Sequence, residues 1–151
     1  MKNIGLLITG IVVTVLFLLS SMSDDFNIYY GLYYGGGFGN EMMNLQVYPV
    51  IALITIIVAW GGAAIYYYAI NSVKFDRWYH WLAVLAVVVV LAPSICYFYN
   101  DSVFKDSGLS YAGETVQFEM LTMLFAALFY VIASYSMRWW SSNCRHTPIP
   151  Q

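Results

Sequence analysis

The chain has 151 residues, of which 61 % are hydrophobic and 9 % are charged, and its formal net charge is −2. A soluble domain usually carries about 25 % charged residues, so this composition excludes an ordinary water-exposed globular surface. The charge balance also gives no reason to expect a nucleic-acid partner, and we predict none. The composition instead favours an integral membrane protein, whose first partner is the lipid bilayer.

Four apolar segments follow one another along the chain. Each of them approaches or exceeds the roughly 20 residues that a helix needs to cross the hydrocarbon core of a bilayer. They cover about residues 4–21, 47–70, 81–99 and 116–137. In lipid a segment has to satisfy its own backbone hydrogen bonds, so such runs predict helices. The predicted fold is therefore all-α: a single membrane domain formed by a four-helix transmembrane bundle, with outer loops at about residues 22–46 and 100–115.

The six Lys and Arg residues are distributed unevenly around these segments. Five of them lie at the N-terminus, in the second loop or in the C-terminal tail: Lys2, Lys74, Arg77, Arg138 and Arg145. The positive-inside rule places segments rich in Lys and Arg on the cytoplasmic side. We therefore predict that both termini are cytoplasmic. Few charges per loop and an N-terminal apolar helix also suit a bacterial inner membrane.

The first apolar segment has a second interpretation. Met1-Lys2-Asn3, the apolar run and Ser21-Met22-Ser23 together resemble a secretory signal with small residues at a cleavage site. The apolar run is at the long end for such a signal, which favours a retained helix. Cleavage would instead place the mature N-terminus outside.

The first outer loop is rich in tyrosine and glycine. Glycine permits backbone conformations and close approaches that other residues forbid, and tyrosine supplies contact area at a small cost in entropy. One interpretation is a surface that docks a partner, and its candidate residues are Tyr29, Tyr30, Tyr33, Tyr34 and Phe38. The other is that the loop lies on lipid headgroups or is disordered. The sequence leaves both interpretations open.

Small and polar residues indicate how the helices pack. In the second segment, small residues predict close approach of a neighbouring helix: Ala59, Gly61, Gly62 and Ala63. In the fourth, Thr115, Glu119 and Thr122 recur at a spacing of three to four and are predicted to face protein rather than lipid. These three residues form the candidate polar site within the membrane.

Glu119 is the only ionisable residue inside a predicted span. An intramembrane carboxylate is a functional candidate, because burying it costs several kcal/mol unless it is paired or protonated. The competing interpretation is that Glu119 reaches the outer headgroups or accepts hydrogen bonds from Thr115 and Thr122.

No catalytic, cofactor-binding or metal-ligating pattern stands out in the sequence. Asp76 and His80 stand four residues apart, but a zinc site needs three or four ligands. Cys96 and Cys144 fall at opposite edges of the predicted membrane, too far apart for a disulfide. We therefore expect a protein that is not an enzyme and has no cofactor.

Two functions remain. The favoured one is a non-enzymatic subunit or scaffold of a larger membrane assembly, such as a secretion, envelope or defence complex. It would act by helix–helix and outer-loop contacts with other membrane proteins or with copies of itself. The alternative is a small proton- or cation-coupled transporter or an oligomeric pore that uses Glu119.

Overall fold

The computed structural model describes residues 2–141, and the regular secondary structure of those residues is entirely helical. The four long helices are α1 (Lys2–Met22), α4 (Val47–Ala64), α5 (Trp78–Asp106) and α6 (Ala112–Met137). Two short helices, α2 (Ile28–Leu32) and α3 (Gly37–Asn44), lie between α1 and α4. The long helices, with α4 counted together with its continuation to Ile70, are each long and apolar enough to cross a membrane. The predicted all-helical class with four long apolar helices is confirmed.

The end of α4 departs from regular α-helix. It continues as a π-helical segment, Ile65–Ile70, in which the wider turn shifts the register of the side chains. The Tyr66 hydroxyl donates a hydrogen bond to the carbonyl oxygen of Phe75, 2.8 Å away. The Tyr68 hydroxyl donates to the carbonyl oxygen of Met137 over 2.9 Å. The first bond fastens the linker between α4 and α5 to the end of α4, and the second fastens the end of α4 to the end of α6. A short 3-10 turn, Arg138–Trp140, follows α6.

The long helices pack around α6. Helices α1 and α5 each contact both α4 and α6. In the apolar window of α6, 44 % of the residues are buried, against 17 % in that of α1, so α6 is central and α1 peripheral. A Cβ atom on Gly10 of α1 would collide with the Ser136 side chain of α6. Trp60 Nε1 of α4 donates to Thr14 Oγ1 of α1 over 3.1 Å. Helix α1 is thus held by close approach and a polar contact, as is usual for membrane helices.

Residues 23–46, here called the cap, fold over the end of the bundle where α1 ends and α4 begins. Tyr29 of α2 and Phe38 of α3 are completely buried. Phe118 of α6 packs against both, with its ring centroid 5.4 Å from that of Tyr29 and 5.7 Å from that of Phe38. The segment predicted as an outer loop therefore contains helices and contributes aromatic side chains to the core.

Asn27 fixes the start of α2. Its Oδ1 accepts hydrogen bonds from the backbone nitrogens of Tyr29 (3.1 Å) and Tyr30 (3.2 Å). Its Nδ2 donates to the carbonyl oxygen of Ser21 over 2.9 Å. One side chain thus satisfies two amides of the helix N-terminus and ties α2 to the end of α1. This double link sets the point at which Tyr29 enters the core.

The glycine-rich run forms the turn between α2 and α3. Gly35 and Gly36 have φ angles of 60° and 64°, a region that favours glycine. A Cβ atom on Gly39 would collide with the carbonyl oxygen of Tyr34. The glycines are therefore required by a tight turn and by a close backbone approach within the cap.

Helices α5 and α6 are longer than predicted from hydropathy. Helix α5 runs to Asp106 and α6 begins at Ala112, so the predicted loop at residues 100–115 shortens to residues 107–111. Lys105 Nζ and Asp101 Oδ2 lie 2.6 Å apart on the added turns of α5. An ion pair at this i, i+4 spacing stabilises helix. The polar residues that lowered the hydropathy here belong to a helix end.

We expect Asn27→Ala to lower the free energy of unfolding by about 1 kcal/mol, because two helix N-terminal amides lose their acceptor. Hydrogen exchange should also accelerate at residues 28–32. Thermal unfolding in detergent and exchange mass spectrometry measure the two effects. The matched control is Asn40→Ala, since Asn40 is exposed and bonds only the tyrosine hydroxyls of Tyr30 and Tyr34 within the described structure. Equal stability of the two variants would contradict the role assigned to Asn27.

Candidate functional site

A cluster of buried polar side chains lies beneath the cap. Glu119 of α6 is 7 % exposed, and Asn100 of α5 and Thr122 of α6 are fully buried. Asn100 Nδ2 donates a hydrogen bond to Glu119 Oε1 over 2.9 Å. This hydrogen bond joins α5 to α6. We call Asn100, Glu119 and Thr122 the polar cluster.

The polar cluster leaves three of its oxygen atoms without a hydrogen bond to any described residue. They are Asn100 Oδ1, Glu119 Oε2 and Thr122 Oγ1. The Thr122 hydroxyl lies close to the carboxylate but outside hydrogen-bonding geometry. A buried polar group without a partner costs about 1–3 kcal/mol, and more when it is charged. Three such atoms in one place therefore point to a role other than packing.

Tyr29 connects the cap with the polar cluster. Its hydroxyl lies beside Thr55 of α4 and near Cys96 and Glu119. Thr55 Oγ1 itself donates to the carbonyl oxygen of Ile51 over 2.8 Å, so its lone pairs face the interior. Burial raises the pKa of the Tyr29 hydroxyl well above its usual value, and this hydroxyl stays protonated. The cap thus supplies a neutral hydroxyl at the edge of the cluster.

Glu119 also forms part of the wall of a surface groove of about 400 Å³ between α5 and α6. Most of the remaining wall is apolar and includes Phe98, Met120 and Met123. Phe98 is 71 % exposed and Met120 is 64 % exposed, so the groove opens on the apolar outside of the bundle. Glu119 is thus the member of the polar cluster that lines this groove, whereas Asn100 and Thr122 are fully buried.

The three residues predicted as a polar site are all buried, but they do not act together. Glu119 and Thr122 belong to the polar cluster. The Thr115 hydroxyl donates to the carbonyl oxygen of Tyr111 over 2.8 Å, within the first turn of α6. Thr115 therefore serves the start of its own helix rather than the cluster.

The small residues predicted to pack helices divide between two surfaces of α4. Ala59 and Ala63 are fully buried. A Cβ atom on Gly62 would collide with Val88 of α5, so α4 and α5 approach each other closely at this point. A Cβ atom on Gly61 would meet no described heavy atom within 4 Å. Both glycines line an apolar surface groove of about 450 Å³ between α4 and α5, and Gly61 is the less crowded of the two.

The five aromatic residues predicted to dock a partner also divide. Tyr29 and Phe38 lie in the core of the chain itself and are not available to a partner in this conformation, which corrects the expectation for these two. Their burial follows from contacts with α6 that the local sequence does not reveal. Tyr34 is 46 % exposed, and Tyr30 and Tyr33 are half-buried. The docking hypothesis therefore narrows to Tyr30, Tyr33 and Tyr34.

Sequence analysis missed Asn100, because it assigned this residue to a loop. The signal was present in the spacing, since Asn100 follows Cys96 by four residues and so shares one face of α5. Cys96 is buried, and its sulfur lies 4.0 Å from Thr55 Oγ1. Among the residues that the structure describes, no group of three His, Cys, Asp or Glu side chains is placed to hold a metal ion. Cys144 and Arg145 lie outside the described residues.

The polar cluster offers one carboxylate, one amide and a hydroxyl in an apolar setting, with the Tyr29 hydroxyl at its edge. Such a set can take up a proton or bind a cation, because its free atoms are oxygens with lone pairs.

Comparison of the chain with protein-family models, with curated proteins and with solved structures finds no match.

Proposed function

We propose that this chain is a non-enzymatic, multi-pass integral membrane protein that serves as a subunit or scaffold of a larger membrane assembly. The apolar outer surface of the long helices supports membrane insertion: Leu16 is 59 % exposed, Val87 62 % and Leu124 69 %. Side chains of this kind over all four helices suit lipid rather than water. The distribution of Lys and Arg supports two cytoplasmic termini, and the few charges per loop suit a bacterial inner membrane.

The observation that carries the assembly role is the groove at Gly61. A glycine without neighbours at its Cβ position allows the backbone of another helix to approach closely. The walls of the groove are apolar, and Ile57 (60 % exposed) and Ile65 (57 % exposed) stand along it. The occupant that fits these walls is an apolar transmembrane helix of a partner protein. The contact would form within the bilayer, where close packing rather than hydrophobicity decides which helices associate.

The cap supplies a second contact surface. Phe26 is 82 % exposed, Leu32 61 % and Tyr34 46 %. These residues lie at the end of the bundle rather than around its apolar belt, so the membrane core does not account for their exposure. Aromatic and aliphatic side chains at such a position suit contact with a partner at the membrane surface. This is the outer-loop part of the proposed assembly role.

A second candidate function is proton- or cation-coupled transport through Glu119. The observation in its favour is the position of Glu119, which bonds the buried Asn100 side chain and also lines the groove of α5 and α6. A carboxylate so placed can exchange a charge between the interior and a lateral opening. Transport would be compatible with the chain acting as a subunit.

For orientation, we expect single-cysteine variants to react according to the side of the membrane. Asp24→Cys and Lys74→Cys place exposed thiols at opposite ends of the bundle, in a background of Cys96→Ser and Cys144→Ser. In intact cells an impermeant maleimide should label position 24 at once and position 74 only after permeabilisation. The opposite pattern, or equal labelling of both, would contradict cytoplasmic termini.

For the assembly role, we expect Gly61→Leu to displace a partner without disturbing the fold, because its side chain enters open space. The protein is extracted from native membranes in mild detergent, and the particle mass and co-eluting chains are determined. A stoichiometric partner should be reduced at least tenfold with Gly61→Leu. The control is Gly5→Leu, another exposed and uncrowded glycine of a long helix. A complex that survives Gly61→Leu, or a lone chain in all samples, would argue against the proposal.

For transport, Glu119→Gln should abolish pH-dependent flux in proteoliposomes, because the amide has no exchangeable charge. The matched control is Glu114→Gln, which lies in the first turn of the same helix. Flux that is unchanged by Glu119→Gln, or undetectable in the unaltered protein, would remove this candidate.

A further inference from the structure

We infer that the polar cluster binds one alkali-metal cation. This inference goes beyond the scaffold role and specifies the chemistry of the second candidate function, but it requires binding only and not transport. The motivating observation is the group of buried oxygens around Glu119 that make no hydrogen bond to the described part of the chain.

The first argument is the charge of Glu119. Within residues 2–141 the ion pair formed is that of Lys105 with Asp101, on exposed turns of α5, and no basic side chain pairs with Glu119. Its described partner is the neutral amide of Asn100. A buried carboxylate without a counter-charge is strongly unfavourable, so a positive charge at this point stabilises the fold.

The second argument is the type of ligand atom. The free atoms of the cluster are a carboxylate oxygen, an amide oxygen and a hydroxyl oxygen, from Glu119, Asn100 and Thr122. The hydroxyl of Tyr29 lies beside Thr55 and faces the same region from the cap. Oxygen-only sets select hard cations over the softer metals that prefer nitrogen or sulfur. The Cys96 thiol is directed elsewhere, 3.9 Å from the carbonyl oxygen of Ile51.

The third argument is the number of charges. Protein sites for calcium gather several carboxylates, whereas this cluster has one. A divalent ion would leave an uncompensated positive charge in an apolar interior. The single carboxylate of Glu119 balances one monovalent ion, with the other oxygens completing the contacts. A larger organic cation cannot reach these atoms from the groove, because Asn100 and Thr122 are fully buried.

A proton satisfies the cluster less completely than a metal ion. Protonation of Glu119 Oε2 neutralises the charge and supplies one donor, but a single donor does not serve the other free oxygens. A bridging water can donate to two oxygens but leaves the carboxylate charged. A cation contacts several oxygens at once and neutralises the charge. It therefore serves the carboxylate of Glu119 and the free oxygens beside it better than a single proton does.

The test is thermal unfolding of the purified full-length protein in detergent at fixed pH and fixed ionic strength. Sodium chloride and potassium chloride are each exchanged against choline chloride. We expect a saturable rise in Tm with sodium or potassium, of about 5 °C at about 100 times the Kd. Choline should give no rise, because it cannot enter the buried cluster.

Two variants assign the effect to this site. Thr122→Val keeps the shape of the side chain and removes one ligand oxygen, so the apparent Kd for the cation should rise at least tenfold. Glu119→Gln should abolish the response. The matched control is Thr115→Val, which removes a buried hydroxyl of the same helix outside the cluster and should leave the Kd unchanged. If Glu119→Gln fails to fold, Thr122→Val and its control still decide the question.

Three results would overturn the inference. One is the same Tm in sodium, potassium and choline. Another is a cation response that Thr122→Val leaves intact. The third is stabilisation by acid alone, which would identify a proton site. The titratable groups that face Glu119 are Tyr29 of α2 and Cys96 of α5. The assembly role is read from co-purification with Gly61→Leu, and transport from flux. If either the assembly role or the transport function fails its own test, the Tm measurement still decides whether the polar cluster binds a cation.

Discussion

In an apolar solvent a polar side chain is stable only where another part of the chain satisfies it, and this constraint organises the bundle. The polar side-chain contacts that join its long helices include Trp60 with Thr14, Trp81 with Ser134, and Asn100 with Glu119. The first joins α4 to α1. The other two join α5 to α6, one near each end of α5. The apolar residues around these contacts distinguish poorly between one helix register and another, because one apolar contact can replace another. The polar contacts therefore specify how the helices align.

The all-helical class and the four long apolar helices were predictable from the sequence, whereas the helix ends and the cap were not. Hydropathy identifies a long apolar run without knowledge of its neighbours, and it located four helices. It fails where polar residues continue a helix, as at Asp101 and Lys105, whose ion pair is visible only once helical spacing is assumed. The cap is a stronger case. Tyr29 and Phe38 are buried against Phe118, which lies about 80 residues further along the chain, and local composition cannot indicate such a contact.

The candidate site shows the same division. Glu119 was identifiable because a charge stands out in an apolar helix, but its partner Asn100 depends on the relative register of α5 and α6. Gly61 and Gly62 are adjacent and chemically identical, yet a Cβ atom on Gly62 would collide with Val88 of α5, whereas one on Gly61 would meet no described heavy atom within 4 Å. A sequence pattern gives the periodicity of each helix, while the rotation of one helix against another is set by the whole bundle. The sequence thus supplied the residue types of the site and the structure supplied their combination.

The packing of α1 against α6 has a consequence for how the protein folds during its synthesis. Gly10 allows the close approach of Ser136, whose hydroxyl also lies 3.4 Å from the carbonyl oxygen of Leu6. Helix α1 therefore packs on a helix that follows it along the chain only after α4 and α5. Until α6 is inserted, α1 has only α4 to hold it, and the cap tethered to α1 through Asn27 has no Phe118 to close on. Completion of the core therefore waits for α6, and until then α1 is held by α4 without its contact to α6.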